Sequence, residues 1–319
     1  MGKKTDMGQH GQYLSEIMAI KISFIATVFN EEKNIRYLFE SLQAQTKLPD
    51  EIIVVDAKST DNTVYEIEQF KKSLGKIAIQ IVEKKVNRSV GRNLAIGRAT
   101  GTIIVATDAG CSLDKRWLEN IVSPFTDPEI DVVAGFYKPI THNIFEKCLA
   151  CYTSVMKDKV TDDFLPSSRS IAFKKSAWKK IGGYPANLDT CEDLVFARNL
   201  KQEGFKFKVI KNAIVYWPQR KNIVEAGKQF FNYAMGDGQA KYIRNNTWLL
   251  FARYIVGFLL FFISKPALTV CLLLYILWSI KKNYKYVKDI KALLYLPMLQ
   301  LVSDVCVIIG TAIGFIKSK

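Results

Sequence analysis

From residue 22 the chain alternates between two kinds of short segment, and this alternation limits its fold more than any other feature. Runs rich in β-branched and aromatic residues occupy Ile22–Val28, Glu51–Asp56, 77–82, 102–107 and 132–136. Between them, 32–43, 62–72, 89–98 and 115–121 read as helices. Strand, helix, strand in repetition builds a parallel sheet through right-handed crossovers. The expected fold is therefore α/β, a mostly parallel sheet flanked by helices, with its crevice lined by the loops after the first, second and fourth strands. No G-x-G-x-x-G or Walker loop follows the first strand, which argues against a Rossmann dehydrogenase and a P-loop ATPase.

The carboxy-terminal third follows a different rule. Apolar runs at 248–263, 266–280 and 292–316 lack a continuous polar face, and the third is long enough to cross a hydrocarbon core of about 30 Å. Arg253 and Asp304 break the apolar character. The stretch 281–291 holds five lysines and one aspartate, so the positive-inside rule places it in the cytosol. We expect a polar extension at 1–19, a catalytic domain at 20–220, an interfacial amphipathic segment at 221–246, and a membrane region of two or three transmembrane helices at 247–319. The catalytic domain should be cytoplasmic and the protein a multi-pass resident of the cell membrane, because the first nineteen residues lack the apolar core of a signal peptide.

Charge narrows the choice of partner. With 45 Lys and Arg against 30 Asp and Glu, the net charge of +15 suits a nucleotide, a phospholipid surface or a nucleic acid. A nucleic-acid binder would carry an arginine-rich or aromatic-interleaved patch. Here the lysines gather around apolar segments and along helix faces, so no nucleic acid is expected. Of the six cysteines only Cys148 and Cys151 are closely spaced, with no second pair or histidine cluster to complete a zinc site. They read as reduced, apolar residues on a helix.

The loops of the expected crevice carry candidate chemistry. "ATVFNEE" offers Thr27, Phe29 and Glu31, and "VVDAKSTDNT" offers Asp56. Asp56 can accept hydrogen bonds from a nucleoside and Phe29 can cover a base, although Phe29 could equally be core. Ser59 or Thr60 is expected to cap a helix, with Asp61 as its first-turn acid. Asp56, closing an apolar strand, has no capping task of its own on this reading. Arg88 and Arg92 sit near a helix start that favours phosphate. "VATDAGCSLD" brings a lone carboxylate, Asp108, to a turn at a strand end.

In order, "TVFNEE", "VVDAKSTDNT", "GRNLAIGRATG", "ATDAG", "PSSRSIAFKKSAWKKIGGYP", "CEDLVFARNLKQEG" and "QFFNYAMGDG" resemble the family-2 glycosyltransferases of GT-A fold, over residues 20–242. The "DAG" form and the apolar segments that follow look like a membrane-anchored prokaryotic branch. The resemblance implies inverting transfer of a sugar from a UDP- or GDP-linked donor to a hydroxyl of a lipid-linked or cell-surface glycan acceptor. It assigns Thr27, Phe29, Glu31 and Asp56 to the nucleoside, Arg92 and Asp108 to the ribose and diphosphate, Asp193 to general-base catalysis, and Glu192 to the acceptor side. Thr190 to Asp193 also reads as a helix capping box. Gln229 stands as a donor contact, but Asn232 and Tyr233 replace an expected Arg and Trp, which disfavours the alternative of a processive polysaccharide synthase. Arg220 can supply cationic help to the leaving diphosphate or be a surface arginine. Since Ala109 and Gly110 cannot ligate through side chains, the divalent cation (Mg²⁺ or Mn²⁺) is expected at Asp108 alone, assembled with the donor. Loss of the second acid also leaves open a catalytically silent membrane platform on the same fold.

Overall fold

The computed structural model describes residues 20–73, 75, 77–242, 244 and 247–318, so the extension expected at 1–19 lies outside it. Two compact units share the chain. The first comprises the chain to Phe136 with Asp162–Tyr184 and Phe196–Val215, and the second comprises Tyr137–Thr161, Pro185–Val195 and the chain from Tyr216 on.

The sheet contains β1 (Ile22–Val28), β2 (Glu51–Asp56), β3 (Ala78–Glu83), β4 (Ile103–Ala106), β5 (Ser112–Leu113), β6 (Val132–Ile140), β7 (Ile171–Lys174) and β8 (Phe207–Pro218), in the order β3-β2-β1-β4-β7-β6-β8-β5. β3, β2, β1 and β4 pair in parallel. β7 runs antiparallel to both β4 and β6. The α/β expectation holds, but the sheet is mixed. The expected fifth strand, β6, does not extend the parallel set, because the short strand β7 stands between it and β4. Register sets the crevice: Val28 pairs with Asp56, which brings β1 and β2 to a common end, and Ile25 pairs with Ala106 beside them.

In the first unit the helices are α1 (Glu32–Gln43), α2 (Thr63–Ser73), α3 (Arg88–Arg98) and α4 (Trp117–Val122). The apolar positions of α1, Ile35, Leu38, Phe39 and Leu42, fall on one face and are fully buried. Burying each contributes roughly 1.5–3 kcal/mol. α3 crosses the sheet at Gly91, where a Cβ would lie 3.0 Å from Thr27 Cγ2 and 3.6 Å from Val55 Cγ1. A larger residue there would lift α3 and the arginine beside it away from the strand ends. Below it, Ala95, Ile96 and Ala99 join Ile25, Val55, Ile104, Phe173 and Phe196 in one core. α6 (Lys175–Lys180) follows β7, and α7 (Glu192–Gln202) carries Phe196 into that core.

The second unit is helical. Its elements are α5 (Ile144–Thr153), α8 (Ile223–Gln239), α9 (Thr247–Ile263), α10 (Lys265–Val287) and α11 (Ala292–Lys317). α5, α8 and α11 share a cluster that includes Cys148, Leu149, Ala226, Phe230, Leu296 and Leu299. The expected interfacial segment is α8, and its glycine face is sealed against α11. A Cβ on Gly238 would lie 2.6 Å from Thr311 O, and one on Gly310 would lie 2.6 Å from Phe231 O. α11, with mean hydropathy 2.0, is the one helix among the described residues long and apolar enough to cross a membrane, and α9 is apolar but shorter. Both leave large apolar residues exposed, among them Phe258, Phe262, Leu301 and Ile309. α10 does so at Leu272, Leu273 and Leu277. α10 also runs through Lys281, Lys282 and Lys285, so most of the expected lysine linker is helix.

Arg253 and Asp304, which break the apolar runs in the sequence, form an ion pair with each other. Asp304 accepts further hydrogen bonds from Tyr275 (2.8 Å), Tyr254 (3.2 Å) and Gln300 (2.8 Å). The Arg253 guanidinium lies over the Tyr254, Tyr275 and Trp278 rings. An unpaired charge in such surroundings would be costly, and the pairing removes that cost.

Candidate active site

The strongest cluster in the first unit lies beyond β4. Thr107 Oγ1 donates to Arg169 O at 2.8 Å, and the next residue is Asp108. Arg92 is 3% exposed; its Nη2 donates to Asp108 Oδ1 at 2.8 Å, and its guanidinium lies 5.4 Å from the centre of the Tyr184 ring. Arg169 Nε stands 3.6 Å from Asp108 Oδ2. Burial pushes the Asp108 carboxyl up, but Arg92, Arg169 and Arg88 outweigh it and hold the group below the usual carboxylate range. With 31% of its side chain exposed, Asp108 stays ionised and open to a ligand. Arg92 is therefore no solvated surface charge.

Arg169 was not anticipated from sequence. It lies in "PSSRSIAF", where residues alternate just before β7. Ser168 Oγ meets Tyr184 Oη at 3.0 Å, while Ser170 Oγ accepts from Trp117 Nε1 at 2.9 Å and donates to Ala213 O. Both serines are 1% exposed. They fix the backbone on either side and leave Arg169 on the Asp108 side, an alternation that was visible in the motif. Asn93, next to Arg92, accepts from Trp178 Nε1 (2.9 Å) and Tyr184 N (2.8 Å) and donates to Tyr184 O (2.8 Å). The "GRN" triplet thus sets an arginine on the carboxylate and pins the ring against which that arginine rests. Gly183, at φ +86, permits the turn that brings Tyr184 there.

The nucleoside candidates occupy the ends of β1 and β2. Thr27 is half-buried, and Phe29 is 56% exposed, which rules out the core reading. Glu31 accepts from Asn34 Nδ2 at 2.8 Å, and its Oε2 lies near Gly110. Asp56 is fully buried and does have a local task. Its Oδ2 accepts from Ser59 N at 2.9 Å and its Oδ1 from Ser59 Oγ at 2.5 Å. The premise that this acid lacks a capping duty is corrected. Ser59 Oγ in turn accepts from Asn30 N, so it ties the β1 loop to the β2 loop and does not cap α2. That task falls to Asp61, whose Oδ1 accepts from Thr63 N.

Asp193 and Glu192 belong to the second unit, at the start of α7. Asp193 Oδ1 accepts from Leu194 N at 2.8 Å, and Glu192 is 2% exposed. The Thr190 hydroxyl, one half of the expected capping box, donates to Asn232 O. "GDG" holds this turn. Gly236 admits the Thr190 backbone, and Asp237 accepts from Cys191 Sγ at 3.1 Å and from Arg244 at 2.5 and 3.1 Å. Cys191 takes φ +66, so a strained turn carries the acids into α7. Gln229, 7% exposed, donates to Tyr233 Oη, and its Oε1 is buried with no hydrogen-bond partner. Arg220 is exposed, as a surface arginine would be.

A divalent cation has little to hold it. Among the described residues no three His, Cys, Asp or Glu side chains gather. Burial, then Asp108, pushes the Cys111 thiol up, so it stays protonated and is no ligand. One carboxylate already engaged by two arginines fits a cation only if donor phosphates complete the coordination.

The mixed α/β sheet, with a carboxylate beyond β4 and arginines facing it, has a GT-A-like fold. The comparisons agree. Residues 23–157 match the family described as Glycosyl transferase family 2. Over that segment the chain is similar to this family, and the chain is a glycosyltransferase. It is 25% identical over 234 residues to the glycosyltransferase AglE of Haloferax volcanii, covering 72% of this chain and 74% of that one. It is 23% identical to a dolichyl N-acetyl-alpha-D-glucosaminyl phosphate 3-beta-D-2,3-diacetamido-2,3-dideoxy-beta-D-glucuronosyltransferase of Methanococcus voltae, covering 93% of this chain and 98% of the relative. Among solved structures, the mannosyltransferase PcManGT of Pyrobaculum calidifontis, in complex with GDP-Man and Mn²⁺, matches with TM-score 0.62 at 19% identity, over 94% of this chain and 88% of that one.

Proposed function

We propose that the chain is an inverting glycosyltransferase that moves a sugar from a UDP- or GDP-linked donor to a hydroxyl of a lipid-linked glycan acceptor at the cytoplasmic face of a membrane. The observation that carries this reading is the ionised Asp108 set between Arg92 and Arg169 beyond β4. Breaking the sugar–phosphate bond puts negative charge on the departing nucleoside diphosphate, and two preorganised guanidiniums are suited to receive it. Thr27, Phe29, Glu31 and Asp56 take the nucleoside, with Phe29 over the base. Asp56 does this while bonded to Ser59, so it presents a fixed edge. Asp193 removes the proton of the acceptor hydroxyl as its oxygen attacks the anomeric carbon. Glu192 shapes the acceptor side, and Gln229 and Arg220 are further donor contacts. A Mg²⁺ or Mn²⁺ ion bound with the donor would rest on Asp108 and screen the diphosphate charge. The lipid-linked acceptor and the membrane rest on the Methanococcus voltae relative, named for a dolichyl-phosphate substrate, and on the exposed apolar faces of α9, α10 and α11. Those three helices would form a multi-pass anchor.

Isothermal titration with a panel of nucleoside diphosphates tests the donor half. One diphosphate should bind, more tightly with Mg²⁺ or Mn²⁺ present, and Asp108→Asn should abolish the metal-dependent increment. Measurable metal binding without nucleotide would contradict the one-carboxylate account.

A further inference from the structure

A cavity of about 530 Å³ in the second unit is lined by Lys147, Lys221 and Lys291 together with His142, Phe145 and Tyr295. Its volume is that of a small-molecule site, far more than one ion needs. The three lysines come from three different helix starts. Lys147 lies in the first turns of α5, Lys221 just precedes the Asn222 cap of α8, and Lys291 is the capping residue of α11. The starts of three helices, with their positive dipole ends, therefore border the cavity together with the lysines. None of the three ammonium groups makes an ion pair among the described residues. The nearby acids have other tasks: Glu146 accepts from His142 N and Asn143, Glu225 from Asn222 and Lys221 N, and Asp289 from Lys291 N. Immediately along the chain, Ile290 is 78% and Leu294 68% exposed. A cationic cavity thus opens beside bare apolar side chains, at the start of the one helix among the described residues long and apolar enough to span a membrane.

We propose that this cavity holds the phosphate headgroup of an anionic phospholipid, its acyl chains running over Ile290 and Leu294 along α11. The lysines and helix starts meet the phosphate, Tyr295 and His142 offer hydrogen bonds to the glycerol region, and the apolar residues take the chains. The site differs from the donor cluster at Asp108 and takes no part in the transfer. It rests on the membrane reading, and it would fix the depth and rotation at which the second unit sits on the bilayer.

Full-length protein in neutral detergent, examined by native mass spectrometry with dioleoylphosphatidylglycerol or dioleoylphosphatidylcholine, tests it. The anionic lipid should be retained about tenfold better than the zwitterionic one. Lys147→Gln, Lys221→Gln and Lys291→Gln, all at exposed positions, should each weaken the anionic adduct about fivefold. Lys228→Gln, exposed on α8 but outside the cavity, should change nothing. Equal retention of the two lipids, or an unchanged preference when all three lysines are replaced, overturns the proposal. Displacement of the lipid by low-millimolar inorganic phosphate also overturns it, in favour of a free-anion site. Resistance to carbonate extraction stays the same in all these variants, so failure of the lipid site is distinguishable from failure of the membrane reading.

Discussion

At the scale of single residues, Asp108 and its arginines form the centre of the candidate site. The lowered pKa of Asp108 has a direct consequence for stability. A carboxyl depressed on folding stabilises the protein above its unfolded value of about 3.9, and that contribution is lost as pH falls through the lower folded value. In Asp108→Asn it is absent throughout. The melting temperature of wild type should exceed that of the variant near pH 7, and the gap should close below about pH 4. A gap independent of pH would mean that the arginines do not act on this carboxyl. Arg92 and Asp108 were legible because each stands in a compact motif beside a strand or helix end. Arg169 was hidden because it reaches Asp108 from 61 positions further along the chain, by way of a strand of only four residues. The local duty of Asp56 was hidden for a similar reason: its carboxylate turns back to Ser59, a contact that strand patterning does not encode.

At the scale of elements, strands β1 and β2 and helix α1 coincide with the segments expected from periodicity, since each carries a strong apolar face of its own. β7 and β5 escaped because four and two residues are too few to show a period. β8 escaped because its first half alternates weakly between half-buried and exposed positions. The pairing of α8 with α11 was also beyond sequence reading, because glycines mark close approach without naming the partner. At Gly314 a Cβ would lie 2.9 Å from Gly238 Cα. Gly314→Val should force the helices apart at a cost of about 1–3 kcal/mol, read as a lower melting temperature and faster trypsin cleavage between α8 and α9. The same change at Gly257, where a Cβ meets nothing within 4 Å, should be tolerated. Equal melting temperatures for the two variants would deny the seam.

At the scale of the whole molecule, the proposed membrane anchoring rests on the carboxy-terminal helices. α9, α10 and α11 expose a run of large apolar residues, and lysines gather beside them at the end of α10. After washing with alkaline carbonate the full-length chain should stay in the membrane pellet, and its release into the supernatant would mean that α9–α11 form a soluble helical bundle instead. Composition and patterning made this region legible as apolar. They did not reveal that Arg253 and Asp304, far apart in sequence, satisfy each other. The most direct test of the central claim is transfer itself. Membranes carrying wild type or Asp193→Asn are supplied with radiolabelled UDP- and GDP-sugars, and label is counted in the solvent-extractable lipid. Wild type should label lipid from one donor, and Asp193→Asn should fall about 10²-fold or more while still binding the nucleoside diphosphate. A variant retaining more than about a tenth of wild-type transfer would contradict the role given to Asp193. Failure of every donor to label lipid would contradict the account as a whole.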